Sequence, residues 1–362
     1  MTAGFLLSRA LLQFQSKSDD LLEDISAVAR TPDGHLWLGS DEFMKLERLT
    51  PMGDGVFGDH QSVPLKDFVE LFDHDSEVDI EGMDYADGYL WVMGSHSLKR
   101  NKTEGDDYQK DIGRLSEIKR DPNRSLLARL PVLNGEIVST YARNGDDGDT
   151  STLSAASLRK VEGQDVLMAA LADDEHIGPL LSIGLPSKDN GFDMEGIAVE
   201  GDRIFLGLRG PVLRGWAIIL EIEVEETDPG TLTLKDLGDG ERYRKHFLDL
   251  NGQGIRELCL HKGDLLVLAG PTMDLEGVMQ MFRFEDALDH SNDTIWSQES
   301  GKLHVLFDLP FTIGTDHAEG LTLMPCLGYD DGLMVVYDSP DDNRRPNKKS
   351  LFADIFRLPD SD

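Results

Sequence analysis

Four glutamates and one serine recur at one place in a repeated pattern: Ser26, Glu81, Glu195, Glu257 and Glu319. Each stands near the start of an apolar run that a turn follows. The runs are "DISAVARTPDGHLWLGS" from Asp24, "DIEGMDYADGYLWVMGS" from Asp79 and "DMEGIAVEGDRIFLGLRG" from Asp193. Two more are "IRELCLHKGDLLVLAGP" from Ile255 and "HAEGLTLMPCLGYDDGLMVVYDS" from His317. If the fold brings these positions to one axis, the carboxylates need protonation, a basic neighbour or a bound cation. Oxygen-only donors suit a hard ion; calcium accepts about six to eight of them, and magnesium or manganese are the alternatives. No His/Cys cluster of the kind zinc prefers accompanies them. The same glutamates have an architectural use, because a strand-start carboxylate can accept backbone N–H groups from a neighbouring repeat.

Counting residue pairs across the turns places further polar groups around this ring. About Asp87-Gly88, Asp79 falls opposite His96 and Ile80 opposite Ser95; about Gly201-Asp202, Arg209 falls opposite Met194 and Gly210 opposite Asp193. Asp41-Glu42 and Asp338-Ser339 end second strands by the same count. The expected mouth therefore gathers His96, Arg209, Arg256, His317, Asp41 and Asp338. In a hydrolytic reading the cation polarises an oxyanion and Arg209 or Arg256 holds an anionic group. His96 or His317 moves a proton, and Asp41 and Asp338 complete the substrate contacts. The same residues also describe an ordinary polar rim. No nucleophile elbow, P-loop or dinucleotide glycine motif stands in the right context. The copy "DLEG" at 274–277 is out of phase with the repeats and receives no axial role.

The elements that must position these groups are β-hairpins, with turn chemistry at "PDGH", "ADGY", "EGDR", "KGDL" and "DDGL". Their starts lie 55, 114, 62 and 62 residues apart, a repeat of about sixty with one interval nearly doubled. A third strand is expected after each hairpin, at "FMKLERL", "IGRLSEI", "AIILEIEV", "MQMFRFE" and "ADIFRLP". A fourth is expected before each, at "ALLQFQ", "DFVELFD", "PLLSIGL", "KHFLDL" and "HVLFDL". The expected fold is all-β: one domain over residues 1–362, a five-bladed β-propeller whose N-terminal strand closes the last blade. Residues 120–177, with "STLSAASLRKVEGQDVLMAALAD", are expected as a helical insertion; a sixth blade there is the alternative.

The chain has 362 residues, 40% hydrophobic and 28% charged, an ordinary globular composition. Only 7% are aromatic and 36 are glycine, as frequent turns require. Its net charge of −33 repels phosphate backbones and anionic lipid, which argues against nucleic-acid or membrane partners and favours cations and solubility. Cys259 and Cys326 sit in apolar stretches and are expected as free thiols. Arg9 interrupts the apolar start, so neither a signal peptide nor a membrane span is expected, and a cytoplasmic protein is. The segment "DSPDDNRRPNKKS" is expected to be mobile and solvated.

The "DxEG" lead before a hairpin, with "HAEGL" in the last unit, resembles an uncharacterised bacterial family, domain of unknown function 3616. That likeness extends over the whole chain and implies no activity. The "EG" strand starts are also similar to esterase-like, phytase-type propellers. The ring as a whole resembles that of calcium-activated nucleotidases, five-bladed propellers with an axial calcium; four glutamates depart from their pattern. Two readings follow. One is a calcium-dependent hydrolase of a phosphoester or ester with a small anionic substrate. The other is a non-catalytic ligand- or protein-binding platform around a structural cation; separately, the 120–177 insertion can serve as a lid or docking helix.

Overall fold

Two-residue turns with positive φ build the hairpins. In the computed structural model, which describes residues 4–15, 20–144, 150–310 and 312–359, Asp87 (φ 52°) and Gly88 (φ 93°) join β6 (Ile80–Ala86) to β7 (Tyr89–Gly94). Lys262 and Gly263 do the same between β15 (Gly254–His261) and β16 (Asp264–Gly270). Such turns match the right-handed twist of the strands they connect. Gly201 (φ 60°) turns β10 (Asp193–Glu200) into β11 (Arg203–Gly210). A longer turn links β2 (Ile25–Arg30) to β3 (Leu36–Ser40). In the last hairpin, β19 (His317–Leu323) and β20 (Gly332–Asp338), the reversal lies at Leu327-Gly328, both with positive φ, and not at the expected "DDGL".

Each hairpin is extended by two further antiparallel strands. In the first unit these are β4 (Lys45–Gly53) and β5 (Val56–Pro64), reversed at Asp54-Gly55. The second unit adds β8 (Leu127–Leu133) and β9 (Ala156–Leu158). The third adds β12 (Trp216–Asp228) and β14 (Arg244–Asp249), with β13 (Thr231–Leu234) folded back on the far end of β12. The fourth adds β17 (Met279–Phe284) and β18 (Leu303–Leu309). The fifth adds β21 (Ser350–Arg357) and, from the N-terminus, β1 (Phe5–Gln13). Expected outer strands at "KHFLDL", "HVLFDL" and "ALLQFQ" are therefore in place.

Three expected strands are not. "DFVELFD" follows the outer strand of the first unit instead of forming it, because the Asp54-Gly55 hairpin has already supplied β5. "IGRLSEI" falls mostly in helix α1 (Tyr108–Ser116), whose N-cap Asp107 accepts the N–H of Gln109 at 3.0 Å. "PLLSIGL" forms helix α3 (Gly178–Ile183), started by Pro179 and stopped by Gly184 at φ 71°. Among the described residues of 120–177 only α2 (Val166–Leu171) is α-helical; the others include β8, a ribbon of Thr140–Asn144 with Thr150–Ser154, and β9. "DSPDDNRRPNKKS" is anchored as well, since Arg344 is buried between Asp316 (2.6 Å) and Asp354 (2.9 Å).

Side chains alternate along these strands, and both faces are buried. Each hydrophobic core is shared by two consecutive units. Trp37 of the first packs with Ile80, Leu90 and Ala128 of the second; Met93 packs with Ile197 and Leu206; Phe205 with Ile255 and Val267; Leu266 with Leu321 and Val335. The series returns on itself where Val336 and Ile355 meet Val28, Leu36 and Leu12. Burying each such side chain contributes about 1.5–3 kcal/mol. The first strands adjoin in the same cyclic order, β2–β6–β10–β15–β19–β2, so their N-terminal ends meet around one centre. No helix among the described residues is long and apolar enough to cross a membrane.

Candidate functional site

Near the start of each first strand the hairpin pairing is interrupted. Ser26 lies between the pairs Ile25–Ser40 and Ala27–Gly39. Glu81 lies between Ile80–Gly94 and Gly82–Met93. Glu195 is skipped before Gly196–Gly207, and Glu319 and Gly320 before Leu321–Val335. Such bulges bend the strand and re-aim a side chain. In the fourth unit the skipped residue is Arg256, between Ile255–Ala269 and Glu257–Leu268. The ring position there belongs to Arg256, and Glu257 takes the place held elsewhere by Ala27, Gly82, Gly196 and Gly320. With a side-chain period of two, that single residue turns Glu257 to the opposite face.

Glu257 is buried there and its Oε1 accepts the N–H groups of Ile197 (3.0 Å) and Leu258 (2.9 Å). A Cβ on Gly196 would stand 2.9 Å from the backbone of Glu257, which is why the neighbouring strand carries glycine. Ser26 is also turned to architecture: its buried hydroxyl donates to the carbonyl of Ile80 in the adjoining strand. The five-residue ring of oxygen donors expected from the repeats does not assemble.

What assembles is an alternation of acids and guanidinium groups. Arg209 bridges Asp193 and Glu195, both at 2.6 Å. Arg256 lies 2.9 Å from the second oxygen of Glu195 and also pairs with Glu319. Arg124 reaches Asp79 at 2.9 Å and pairs with Glu77. The guanidinium groups expected to grip a substrate are thus engaged by carboxylates. Arg124 comes from the long connection in the second unit, where no repeat marks it; Asp79 and Asp193 are the leading acids of the two "DxEG" stretches.

Above this network opens a cavity of about 610 Å³. Asp41, Glu81, Arg209, Arg256, His317, Glu319 and Asp338 line it, so most of the expected site residues converge. Its charge is excess acid, and burial shows the consequence. Asp41 is pushed up to about 9 by burial and then by Asp79, Glu319 and Asp338. Burial raises Glu319 to about 8 against the pull of Arg256, and Asp193 to about 7 against Arg209. Glu81 stands well above the usual carboxylate range, from burial and then Asp79, Glu195 and Glu319. Among the described residues Glu81 has no cationic partner within ion-pair distance, and one buried oxygen of Asp41 has no hydrogen-bond donor. His317 sits 3.6 Å from Asp338 and 3.5 Å from Glu276; the Asp338 carboxylate beside it raises its proton affinity. The "DLEG" loop therefore borders the mouth after all, with Asp274 and Glu276 in its wall.

One side of the rim is basic: Lys99, Arg100, Lys102 and Lys188. Lys99 pairs with Glu77 and Asp121, and Arg100 with Asp189. Lys102 and Lys188 are exposed and, among the described residues, have no carboxylate within ion-pair distance. They are the free cations that face the cavity.

His96 is elsewhere. The bulge at Glu81 consumes one residue, so Ile80 pairs with Gly94 and the strand ends before His96. Its ring is fully buried, with Nδ1 at 2.8 Å from the carbonyl of Gly94 and Nε2 at 2.7 Å from Asp165. Both nitrogens face oxygens, and the ring cannot reach the mouth.

As the side chains stand, no three His, Cys, Asp or Glu among the described residues enclose a point fit for a metal ion. The fit is instead one of charge: unpartnered Glu81, the orphaned oxygen of Asp41, and Glu319 and Asp338 beside them form an acidic wall of hard oxygen donors.

A model of the family described as "Protein of unknown function (DUF3616)" matches residues 24–354. No curated protein matches the chain. Among solved structures, virginiamycin B lyase from Staphylococcus aureus is 11% identical, over 97% of this chain and 99% of that one, with a TM-score of 0.34. An aldose sugar dehydrogenase from Streptomyces coelicolor is 10% identical over 97% and 99%, TM-score 0.34. A GH32 β-fructofuranosidase from Bombyx mori is 11% identical over 98% and 61%, TM-score 0.38.

Proposed function

The chain belongs to the DUF3616 family, and from that premise we propose a single-domain, five-bladed β-propeller that acts as a divalent-cation-dependent hydrolase of a small anionic phosphoester or ester. The five-bladed reading rests on the cyclic order of first strands and on cores shared between consecutive units, the last and first included. The observation that carries the function is the excess acid of the mouth: among the described residues Glu81 has no cation within ion-pair distance, and Asp41 has a buried oxygen without a donor. Such a wall is held together by protons or by a cation. Asp41, Glu81, Glu319 and Asp338 would hold the ion, with calcium preferred and magnesium or manganese as alternatives. Bound there, it would supply Lewis-acid polarisation of a phosphoryl or carbonyl oxygen.

The chain's own groups do the rest. Lys102 and Lys188 draw the anionic end of the substrate to the rim. Arg209 and Arg256 hold Glu195 and Glu319 in place and do not touch substrate. His317, its proton affinity raised by Asp338 beside it, delivers a proton to the leaving oxygen.

The test is a calorimetric titration of chelator-treated protein with calcium, on wild type and on Glu81→Gln, followed by phosphoester and ester substrates. Binding that the substitution removes, with cation-dependent turnover, is expected. No binding in the wild type and no turnover overturns the reading.

A second reading has its own support. The Arg209–Glu195–Arg256–Glu319 chain of ion pairs ties neighbouring first strands without any ligand, as a non-catalytic platform for a ligand or protein requires. Cation binding without turnover on any substrate favours it.

A further inference from the structure

A second cavity, of about 190 Å³, lies behind the mouth, between helices α2 and α3 and the chain that leaves β7. Leu98, Met168, Leu180, Leu181, Leu185 and Phe192 form its walls. His96 borders it, and the polar atoms of that ring are satisfied: Nε2 meets Asp165, whose other oxygen accepts the N–H of Met168 at 2.9 Å. No buried side-chain N or O atom of the lining is left without a partner to attract water. The cavity opens to solvent on one side, where Arg120, Gln164 and Ser182 border it, and its apolar wall offers room for a small hydrocarbon body.

Its edge carries one charge. The exposed Arg120 reaches Gln164 at 3.4 Å and, among the described residues, has no carboxylate within ion-pair distance. An unpaired guanidinium beside an apolar cavity fits an amphiphile with an anionic head.

We propose that this cavity binds a small monocarboxylate with an apolar body of about four to eight carbons, its chain among Met168, Leu181 and Phe192 and its carboxylate on Arg120. The site is distinct from the mouth, though Leu98 faces it while Lys99 and Arg100 face the mouth. It stands whether or not the mouth is catalytic.

The test is isothermal titration of the full chain with butanoate, hexanoate, hexan-1-ol and hexylamine. Each buried methylene should tighten binding about fourfold, so hexanoate binds roughly fifteenfold tighter than butanoate. Arg120→Gln should weaken hexanoate about tenfold. Ala172→Phe and Leu181→Trp, which fill the cavity from its exposed edge and from its wall, should abolish binding. Melting temperature reports whether each variant folds, and Ala172→Phe, at an exposed position, serves if Leu181→Trp does not. Three results would overturn the proposal: no binding of any probe; hexan-1-ol or hexylamine binding as tightly as hexanoate with Arg120→Gln silent; or hexanoate binding that survives a folded cavity-filling variant.

Discussion

Oε1 of Glu257 accepts the backbone N–H of Ile197 at 3.0 Å, which ties the first strands of two consecutive units together. Burial raises the proton affinity of this carboxyl well above the usual carboxylate range. Glu257→Gln keeps a neutral acceptor of the same shape and should leave stability almost unchanged. Glu257→Ala strands two buried N–H groups at about 1–3 kcal/mol each, and should lower urea stability by about 2–5 kcal/mol. Neither should alter calcium affinity. Loss of cation binding in Glu257→Gln would show that the side chain faces the axis instead.

Arg256 stands between Glu195 and Glu319, and removing it leaves Glu319 without its counter-ion and Glu195 with Arg209 alone. Arg256→Met should destabilise the protein by about 3–5 kcal/mol at pH 9. The loss should shrink at pH 5, because Glu319, raised to about 8, then takes a proton. Equal destabilisation at both pH values would separate Arg256 from this electrostatic role.

Asp41, Glu319 and Asp193 are raised to about 9, 8 and 7, against about 4 in an unfolded chain. The folded state therefore binds more protons than the unfolded between those values. The stability these groups contribute is complete below pH 4 and drains as pH rises to 9. Melting temperatures in chelator should fall over pH 6–9 on this account, and Asp41→Asn should flatten the fall. Calcium should restore stability most at the alkaline end and release protons on binding, seen as a calorimetric heat that depends on the buffer. A pH-independent response to calcium would place the ion away from these acids.

Lys102 and Lys188 of the rim are exposed and, among the described residues, have no carboxylate within ion-pair distance. Reversing them together, Lys102→Glu with Lys188→Glu, should raise KM for an anionic substrate severalfold at low salt with kcat and calcium affinity nearly unchanged. The effect should fade near about 0.5 M salt, where the screening length is only a few ångströms. A fall in kcat at constant KM would assign the lysines to the chemical step.

Hairpins were legible wherever a turn needs left-handed residues, as at Asp87-Gly88 and Lys262-Gly263, because few residue pairs tolerate that backbone. The closing strand at "ALLQFQ" was legible from its alternation. The ring was misread by one residue in the fourth unit. Five positions separate Glu81 from Ala86 and Glu195 from Glu200 at their turns, and the same count back from His261 reaches Arg256. His96 was misplaced for a related reason, since a bulge removes one residue from the pair count and leaves no mark in composition. Asp274 and Glu276 carry a copied motif yet reach the mouth through a loop of no fixed period. Arg124, Lys102 and Lys188 come from the long connections, where position depends on tertiary packing alone.

The pairing of residues 5–13 with 350–357 also sets a timetable for the growing chain. Arg9 and Asp354, which form an ion pair across that seam, are 345 positions apart. At about 5–20 residues per second, the first strand leaves the ribosome roughly 15–70 s before its partner exists. Throughout that interval the early hairpins present a raw lateral edge to every neighbouring nascent chain. Translation speed over the last unit, and any chaperone that covers the waiting strand, should therefore govern yield more than the final stability does.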